Sequence, residues 1–291
     1  MSGERLSAGK KFRDAIRNGI IPLPGVFNAL TARMAEELGF PAVYQSGAAL
    51  SAGLAALPDV GLITQTEFAR QGAYLAQSVS IPVISDADTG FGEALSVERT
   101  VREYERAGLA GLHLEDQQLP KRCGHLSGKE LVTTAEMVAK LKAAVSARVD
   151  PDFVIIARTD ARANEGIEGA LARARAYVES GADMIFPEAL QDADEFRTFA
   201  REIKVPLIAN MTEFGKSKLL SVQELGELGY AAVLFPVTIF RVAMQAAQEA
   251  LRTIRDEGSQ AAILDNMQTR TELYGLLKYE GFEERDRSYF G

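Results

Sequence analysis

The chain has 291 residues, of which 47% are hydrophobic and 25% are charged, and its formal net charge is −8. This composition is typical of a globular protein, and an acidic chain without a long basic run is not expected to bind nucleic acid or an anionic membrane surface. A single cysteine excludes an internal disulfide and suits a reducing compartment. The first residues lack the apolar core of a secretory signal, and no apolar run approaches the length of a membrane span, so we expect a cytoplasmic protein.

After a predicted helix within residues 1–19, the chain repeats one pattern of helix, glycine and apolar strand. Gly39, Gly108, Gly181 and Gly229 each end an amphipathic stretch, as glycine does when it takes a left-handed conformation at a helix C-terminus. The strands that follow are nearly continuous apolar runs, which is typical of a parallel sheet covered on both faces. With the remaining runs, the predicted strands are 23–28, 42–47, 82–88, 111–116, 153–160, 184–188, 206–212 and 231–236.

Eight strand–helix units at this spacing predict an α/β fold, a closed (β/α)₈ TIM barrel. An open doubly wound sheet is the alternative, but that fold ordinarily carries a Gly-x-Gly-x-x-Gly fingerprint, which this chain lacks. We expect one barrel domain over residues 1–291, with residues 258–291 as a helical tail at a subunit interface. The predicted helices after the first include 66–78, 97–107, 134–147, 167–180, 238–257 and 267–277. The aromatic residues of the tail would pack on a neighbouring subunit or on the same chain: Tyr279, Phe282, Tyr289 and Phe290.

Carboxylates follow several of the predicted strands, and in a barrel these strand ends build the active site. Asp86 and Asp88 stand two apart on a predicted strand, so both side chains would point to one face, and Glu115 ends the next strand. Oxygen ligands without sulfur or imidazole select Mg²⁺, with Mn²⁺ as a second possibility, over Zn²⁺. Helix N-capping is the alternative interpretation of the two aspartates. We predict a metal site at Asp86, Asp88 and Glu115.

Several other strand ends carry groups that can bind a substrate carboxylate. Arg158 would clamp such a group at two points, or neutralise Glu188, or do both. The segment Ser46–Ala48 would present backbone N–H groups to an anion or form a simple tight turn. Arg241 and Arg270 lie outside the strands and would reach a second carboxylate, unless they are ordinary surface residues. The predicted substrate-binding residues are Ser46, Gly47, Ala48, Gly124, His125, Arg158, Glu188, Asn210, Thr212, Arg241 and Arg270.

The loop after the fourth strand holds the only cysteine, in the segment Lys121-Arg-Cys-Gly-His125. Lys121, Arg122 and His125 would favour the thiolate of Cys123, because nearby positive charge stabilises the ionised form. A thiol beside a metal site can move a proton to or from carbon. A buried structural cysteine is the alternative, but a cysteine between charged residues and glycine does not lie on an apolar face. We therefore predict a catalytic role for Cys123 and a supporting one for Lys121.

These segments together resemble the isocitrate lyase and phosphoenolpyruvate mutase superfamily, and within it the methylisocitrate lyase branch, from about residue 12 to residue 279. The chain departs from many members at Ala48, where they have a second glycine, and at Leu126-Ser-Gly-Lys129, where they have Arg-Pro-Asn-Lys. The segments that carry the resemblance are Tyr44–Gly47, Leu57–Gly61, Asp86–Gly92, Leu114–Gln117, Lys121–His125, Ala157–Asp160, Phe186–Glu188 and Asn210–Phe214.

The resemblance implies a barrel whose C-terminal helix is exchanged between subunits of a homotetramer, with Mg²⁺ near the three carboxylates and a loop around Cys123 that closes over substrate. It implies a carbon–carbon lyase of propionate catabolism, in the methylcitrate cycle, that cleaves the 2-hydroxy tricarboxylate 2-methylisocitrate to pyruvate and succinate. Tyr44 would accept the hydroxyl proton, with Glu188 or a metal-bound water as alternatives, and Cys123 would protonate the succinate carbon.

Two kinds of alternative stay open at the level of sequence. A lyase of the same superfamily would act on dimethylmalate, isocitrate or a phosphonate. A protein of another class, a catalytically silent oligomeric scaffold or metabolite sensor, would explain the barrel and the tail. It would not explain why metal ligands, a proton donor and a carboxylate clamp occur together.

Overall fold

The computed structural model describes residues 6–122, 124–125 and 128–290. The chain divides into two compact units, Met1–Thr238 and Ile239–Gly291. The strands are β1 Ile21–Val26, β2 Val43–Gln45, β3 Val83–Asp86, β4 Gly111–Glu115, β5 Val154–Thr159, β6 Met184–Pro187, β7 Ile208–Asn210 and β8 Ala232–Phe235. The helices up to the unit boundary are α1 Ala8–Arg17, α2 Ala29–Glu37, α3 Gly47–Ala55, α4 Gln65–Ser78, α5 Ala94–Arg106, α6 Thr134–Ala147, α7 Arg162–Glu179, α8 Ala193–Glu202 and α9 Val222–Glu227.

The eight strands form one parallel sheet that curls into a barrel. The strand order runs from β6 through β5, β4, β3, β2 and β1 to β8 and β7, and a parallel bridge between Ile185 and Leu207 joins the two ends. The predicted (β/α)₈ barrel is therefore confirmed, and the open doubly wound alternative is wrong. Each predicted strand is present, with ends that differ by one or two residues. The four glycines predicted to end helices all have positive φ.

Two apolar layers hold the barrel together. Inside it, alternate residues of the strands form one cluster that includes Leu23, Ile84, Ile156 and Phe186, and Phe12 of α1 belongs to the same cluster. Successive strand residues point to opposite faces, so the intervening residues form the second, larger cluster between sheet and helices. The all-apolar strand sequences are explained by this burial on both faces.

Two helices differ from the sequence prediction. The segment Gly47–Ala55 forms α3, although its apolar residues show no amphipathic pattern and we expected only a turn or an anion-binding backbone there. In the predicted helical tail, a further helix, α12 over Tyr279–Tyr289, follows the predicted helix 267–277. Local sequence is a weak guide for both segments, because neither has the one-sided apolar stripe that reveals a helix.

Helices joined by short connections make up the described residues of the second unit. The unit holds α10 (Thr238–Glu257), which begins at the unit boundary, a 3₁₀-helix (Ala261–Asn266), α11 (Arg270–Leu277) and α12. Tyr274 stacks on Tyr279 with ring centroids 4.7 Å apart, while Tyr289 and Phe290 are more than 80% exposed. Among the described residues of both units, no helix is long and apolar enough to cross a membrane.

Candidate active site

The C-terminal rim of the barrel is built by the same alternation that builds its interior. On five of the strands, an inward residue, apolar on all but β4, is followed two positions later by an inward polar one. All of these polar side chains are at least 90% buried, so their charges interact strongly and must be compensated locally. The pairs are Ile84 and Asp86, His113 and Glu115, Ile156 and Arg158, Phe186 and Glu188, and Ile208 and Asn210.

Asp86 and Asp88 come together for a different reason from the one predicted. Strand β3 ends at Asp86, and Asp88 lies beyond it with a left-handed φ of 45°. Strand alternation therefore does not place Asp88, and that part of the prediction is wrong. The backbone N–H of Asp88 donates to Asp86 Oδ1 at 2.9 Å, a short-range bond that aspartate readily makes in turns. The two carboxylates are held at one corner by this turn.

Glu115 faces Arg158 on the neighbouring strand, because the two residues are register partners of β4 and β5. Arg158 Nε lies 3.4 Å from Glu115 Oε2, but Glu115 Oε1 is buried and has no hydrogen-bond partner among the described residues. Burial therefore outweighs the attraction of Arg158 and of Lys121, and the pKa of Glu115 is raised well above its ordinary value. This carboxylate lacks sufficient positive charge around it.

Lys121 is the cation that lies among the acidic residues. Its Nζ is 2.5 Å from Asp88 Oδ1 and also contacts Asp59 Oδ1. Burial nevertheless raises the pKa of Asp88 to about 7, against the opposing effect of Lys121. Asp59 lies in the Leu57–Gly61 segment of the resemblance, but we did not select it as a site residue. The signal that could have selected it is its place in that segment.

The predicted metal ligands are close neighbours in this region, but they do not form a finished cage. Nowhere in the described part of the chain do three His, Cys, Asp or Glu side chains converge tightly enough to hold a metal ion. The donor set nonetheless fits a hard divalent cation. Asp86, Asp88 and Glu115 supply only oxygen, and one Glu115 oxygen has no hydrogen-bond partner among the described residues. The raised pKa values of Asp88 and Glu115 show that burial disfavours their charged forms, which an added cation would stabilise.

Tyr44 lies at the floor of this acidic region, beside a histidine that the sequence interpretation did not select. Its hydroxyl is 2.7 Å from His113 Nε2, and His113 Nε2 is 3.5 Å from Asp86 Oδ1. Burial raises the pKa of Tyr44 well above 10.0, and the neighbouring Asp86 adds to this shift. Burial also lowers the pKa of His113 to about 4, so the imidazole is neutral. The alternation that places Glu115 inward on β4 also places His113 inward, and could have revealed it.

On the other side of the rim, the buried carboxylates Asp160 and Glu188 both have cationic partners. Arg158 donates to both oxygens of Asp160, from Nε at 2.9 Å and from Nη2 at 3.1 Å. Its Nη2 also lies 3.4 Å from Glu188 Oε2, as predicted, but Asp160 is the closer partner. His125 Nε2 is 2.8 Å from Glu188 Oε1, and Asn210 Nδ2 donates to Glu188 Oε2 at 3.1 Å. Although burial opposes it, Arg158 and His125 keep the pKa of Glu188 well below its ordinary value.

The loop after β4 lies on this paired side. A Cβ atom at Gly124 would stand 2.5 Å from both Arg158 Nη2 and Glu188 Cγ, so only glycine allows the backbone to come this close. His125 accepts a hydrogen bond from the Lys216 backbone N–H at Nδ1, at 2.9 Å, which connects this loop to the loop after β7. Cys123, the predicted proton donor, lies outside the described residues, as do Leu126 and Ser127.

The other predicted substrate-binding residues lie at the N-terminus of α3, after β7 and in the second unit. Ser46 is the N-cap of α3, and its side chain accepts from the Ala49 N–H at 3.2 Å. Gly47 follows it, where a Cβ would stand 2.5 Å from Asp86 Oδ2. The segment Ser46–Ala48 is thus a helix N-terminus beside the acidic region rather than a simple turn. Thr212 follows β7 and is partly buried, whereas Arg241 and Arg270 belong to the second unit.

Asp116 supports the rim from behind. It accepts from the Asp160 backbone N–H, the Thr159 hydroxyl and the Tyr177 hydroxyl, each at 2.8 Å. Arg173 Nη1 adds a contact at 3.4 Å. Asp116 is fully buried and occupied by these donors, so it fixes the end of β5 rather than binding a ligand.

A barrel with an uncompensated acidic corner beside a fixed arginine has the features of an enzyme that binds a metal ion and an anionic substrate.

Residues 12–255 match the family model described as phosphoenolpyruvate phosphomutase. The chain is 54% identical over 270 residues to a 2-methylisocitrate lyase of Aeropyrum pernix, which covers 93% of this chain and 87% of that protein. It is also 54% identical over 272 residues to a probable 2-methylisocitrate lyase of Corynebacterium glutamicum, covering 93% and 89%. The chain belongs to the phosphoenolpyruvate phosphomutase family.

Solved structures agree with this assignment over nearly the whole chain. A crystal structure of 2,3-dimethylmalate lyase is 35% identical, with a TM-score of 0.93 and coverage of 99% of this chain and 97% of that one. An oxaloacetate acetylhydrolase bound to 3,3-difluorooxalacetate is also 35% identical, with a TM-score of 0.94 and 99% coverage of both chains. A phosphonopyruvate hydrolase in complex with oxalate and Mg²⁺ is 31% identical, with a TM-score of 0.89 and coverage of 98% and 100%.

Proposed function

We propose that this protein is a Mg²⁺-dependent carbon–carbon lyase that cleaves 2-methylisocitrate to pyruvate and succinate. The observation that carries the proposal is the division of the buried rim into an acidic corner short of positive charge and a neighbouring paired side. The first suits a divalent cation, and the second presents Arg158 and Asn210 toward a carboxylate. The relatives at 54% identity that are named for this substrate support it.

Asp86, Asp88 and Glu115 are the residues that would hold the cation, with Mn²⁺ as a possible replacement for Mg²⁺. The chemistry that Mg²⁺ supplies in such a site is Lewis-acid polarisation of the substrate hydroxyl and its adjacent carboxylate. The phosphonopyruvate hydrolase that binds oxalate and Mg²⁺ supports this part of the proposal by analogy.

The reaction requires a group to accept the hydroxyl proton when the bond between the hydroxyl-bearing carbon and its neighbour breaks. Tyr44 is our candidate: burial keeps its phenol protonated, so it would pass its own proton to the neutral His113, 2.7 Å away, as it takes up the proton of the substrate hydroxyl. Glu188 is the less suitable alternative. Its pKa is lowered by Arg158 and His125 in spite of burial, and a weakly basic carboxylate in ion pairs is better suited to orienting those two residues.

The electron pair of the broken bond stays on the succinate half, where Arg158, Asn210 and Thr212 would stabilise the developing negative charge. The thiol of Cys123 would then give its proton to that carbon. Lys121 and His125, which lie near Cys123 in sequence, would stabilise the thiolate that this transfer leaves behind. Because the reaction needs a free thiol, a reducing cytoplasmic setting is part of the proposal.

A direct comparison of substrates tests the proposal. Purified protein with Mg²⁺ is offered 2-methylisocitrate, 2,3-dimethylmalate and isocitrate, and the 2-oxo acid product is measured with and without chelator. We expect the highest kcat/KM for 2-methylisocitrate and loss of activity on chelation. A higher kcat/KM for 2,3-dimethylmalate would contradict the proposal and would instead indicate the activity for which the structural relative at 35% identity is named.

The proposal also includes a homo-oligomer, a tetramer, formed through the second unit. Large apolar side chains of its helices are exposed in the single chain, among them Leu251, Ile254 and Phe282, and such a surface is usually covered in a soluble protein. Sedimentation of the full chain would measure the mass, and a monomer at micromolar concentration would contradict this part.

A further inference from the structure

Arg173 is a buried arginine of α7 that the reaction described above does not use. Its side chain is only 9% exposed, and its Nη1 lies 3.4 Å from Asp116 Oδ2. On its other side, Nε and Nη2 donate to the two carboxylate oxygens of Glu165 at 2.9 and 2.7 Å. Arginine is almost never buried to this extent unless its charge is paired, so these two carboxylates account for its position.

The sequence around Glu165 allows its carboxylate to reach Arg173. Gly166 follows it with a left-handed φ of 71° and interrupts α7 at this point. A Cβ atom at Gly169 would stand 2.4 Å from Glu165 Cβ, so glycine is needed for Glu165 to lie against this turn of the helix. The resulting two-point pair fixes the plane of the guanidinium and leaves Nη1 for other partners.

Nη1 is the atom that connects Arg173 to the rim. It donates to the Val132 carbonyl at 2.9 Å and to the Tyr177 hydroxyl at 3.2 Å. That hydroxyl in turn donates to Asp116 Oδ2 at 2.8 Å. Arg173 therefore acts on Asp116 in two ways, by direct charge attraction and through a chain of buried hydrogen bonds.

Asp116 transmits this constraint to the residue that orients Arg158. Its Oδ1 accepts from the Asp160 backbone N–H at 2.8 Å, and the Asp160 carboxylate accepts from Nε and Nη2 of Arg158. A two-point pair of this kind sets the direction of a guanidinium as well as its distance. A shift of the Asp160 backbone would consequently turn the Arg158 side chain.

We propose that Arg173 is a positioning residue that acts through Asp116 and Asp160 to direct the Arg158 guanidinium toward a ligand carboxylate. Arg173 itself does not contact the ligand, so its effect on binding is indirect. The identity of the ligand rests on the proposed function, but the chain of contacts from Arg173 to Arg158 does not.

The opposite end of β5 offers a matched control. There, Asp183 Oδ2 accepts from the Ile155 N–H at 2.8 Å and from Arg148 Nη1 at 2.7 Å. An arginine and an aspartate thus hold the beginning of the strand much as Arg173 and Asp116 hold its end. Residues at the N-terminal face of a barrel contribute to stability rather than to the site, so Arg148→Met tests the loss of a buried guanidinium alone.

Calorimetry of the full-length protein with Mg²⁺ measures the Kd of succinate, the product half that Arg158 would bind. In metal sites, partners that orient a ligating side chain contribute about 10–100-fold to affinity or activity. By the same reasoning, the Kd of succinate should rise at least about tenfold in Arg173→Met and stay at the wild-type value in Arg148→Met. Arg173→Lys keeps the charge but not the planar fork, so its Kd should lie between those of the wild type and Arg173→Met.

A double-mutant cycle tests whether Arg173 acts through Asp116. Asp116→Asn should itself raise the Kd of succinate, and the double variant should bind no more weakly than the weaker single variant. Multiplied effects would mean that Arg173 acts by another route. If either single variant does not fold, Tyr177→Phe takes its place. It removes only the hydroxyl between the two charged groups, and it should raise the Kd about fivefold, the usual value of one hydrogen bond.

Two further results would overturn the proposal. One is an unchanged Kd in Arg173→Met, and the other is an equal rise in Arg148→Met, which would indicate general loosening of β5. If the wild type neither binds succinate nor cleaves 2-methylisocitrate, the proposed function fails, and crystal structures of the two variants then decide on Arg173 alone. The two-point contact of Arg158 with Asp160 should be lost in Arg173→Met and kept in Arg148→Met. Its retention in both would reject the positioning role.

Discussion

The two sides of the rim differ in how far the charge of their buried carboxylates is compensated. On the side of β3 and β4, burial raises the pKa values of Asp88 and Glu115, whereas the pKa of Asp86 is lowered because His113 and Lys121 outweigh its burial. On the side of β5 and β6, burial is equally complete, but the nearby positive charge outweighs its effect, so the pKa values of Asp160 and Glu188 are lowered. The difference lies in the partners, because Arg158 and Lys129 lie 2.9 and 2.7 Å from Asp160 on the second side. Arg158 is 3.4 Å from Glu115 on the first side, where Lys121 is the nearer cation of Asp88.

This contrast shows why the two sides would have separate tasks. A carboxylate with enough partners is stable as it stands and fixes the geometry of the groups around it. A buried carboxylate without enough partners is unfavourable until a cation arrives, so it is suited to binding one. Mutations that remove a charge should consequently have different consequences on the two sides.

The largest effect is expected from Asp86→Asn, which keeps the acceptor for the Asp88 N–H and removes one charge of the acidic corner. We expect the lyase activity to fall to background, because metal stabilisation of the reacting oxygens is worth several kcal/mol. Differential scanning fluorimetry should also show that Mg²⁺ no longer raises the melting temperature. Wild-type protein treated with chelator and then resupplied with Mg²⁺ is the control. Activity that survives chelation would remove the metal from the proposal.

Cys123→Ser should lower kcat by about 10²–10⁴-fold, the usual contribution of a positioned proton donor. The rise in melting temperature with Mg²⁺ and the binding of succinate, measured by calorimetry, should stay close to those of the wild type. Both sides of the rim are intact in this variant, so a simultaneous loss of binding would mean that the residue shapes the site. Full turnover would exclude Cys123 from the reaction.

The sequence predicts the carboxylates that the strands carry to the rim. It does not predict the ion pairs that loops form around them, because those pairs join residues far apart in the chain. Strand positions and the inward carboxylates Asp86, Glu115 and Glu188 follow from apolar runs and alternation. The ion pairs of Lys121 with Asp59 and of Lys129 with Asp160 join positions 62 and 31 residues apart. Such pairs form only when loops meet over the closed barrel, and no local pattern encodes them. The turn that brings Asp88 to Asp86 also depends on a left-handed residue that strand alternation does not foresee.

The same substitution on the two sides gives the most direct test of the contrast. Glu188→Gln breaks a buried network with Arg158 and His125 and should destabilise the protein by about 3–5 kcal/mol. Glu115→Gln should change stability by less than about 1 kcal/mol without metal, because the raised pKa already favours the neutral form. Melting temperatures at equal protein concentration in chelator compare the two variants. Equal losses would show that the two sides do not differ.

The effect of Glu188→Gln should also depend on pH. A carboxylate with a lowered folded pKa contributes stability that is present above its ordinary pKa of 4.5 and is lost as the pH falls toward the lower folded value. The difference in melting temperature between wild type and Glu188→Gln should therefore be largest near neutral pH and shrink below about pH 4.5. A difference that grows on acidification would have the wrong sign for this mechanism.

The smallest effect is expected at Ser46, which caps α3 beside the acidic corner. Ser46→Ala removes the acceptor for the Ala49 N–H and should lower stability by about 1 kcal/mol. Thr64→Ala is the matched control, since Thr64 caps α4 by accepting from the Glu67 N–H at 3.3 Å. Both variants should lose similar stability, but only Ser46→Ala should raise the KM for substrate. Equal KM values in the two variants would restrict Ser46 to its role as a helix cap, and the substrate contacts would then belong to Arg158 and Asn210.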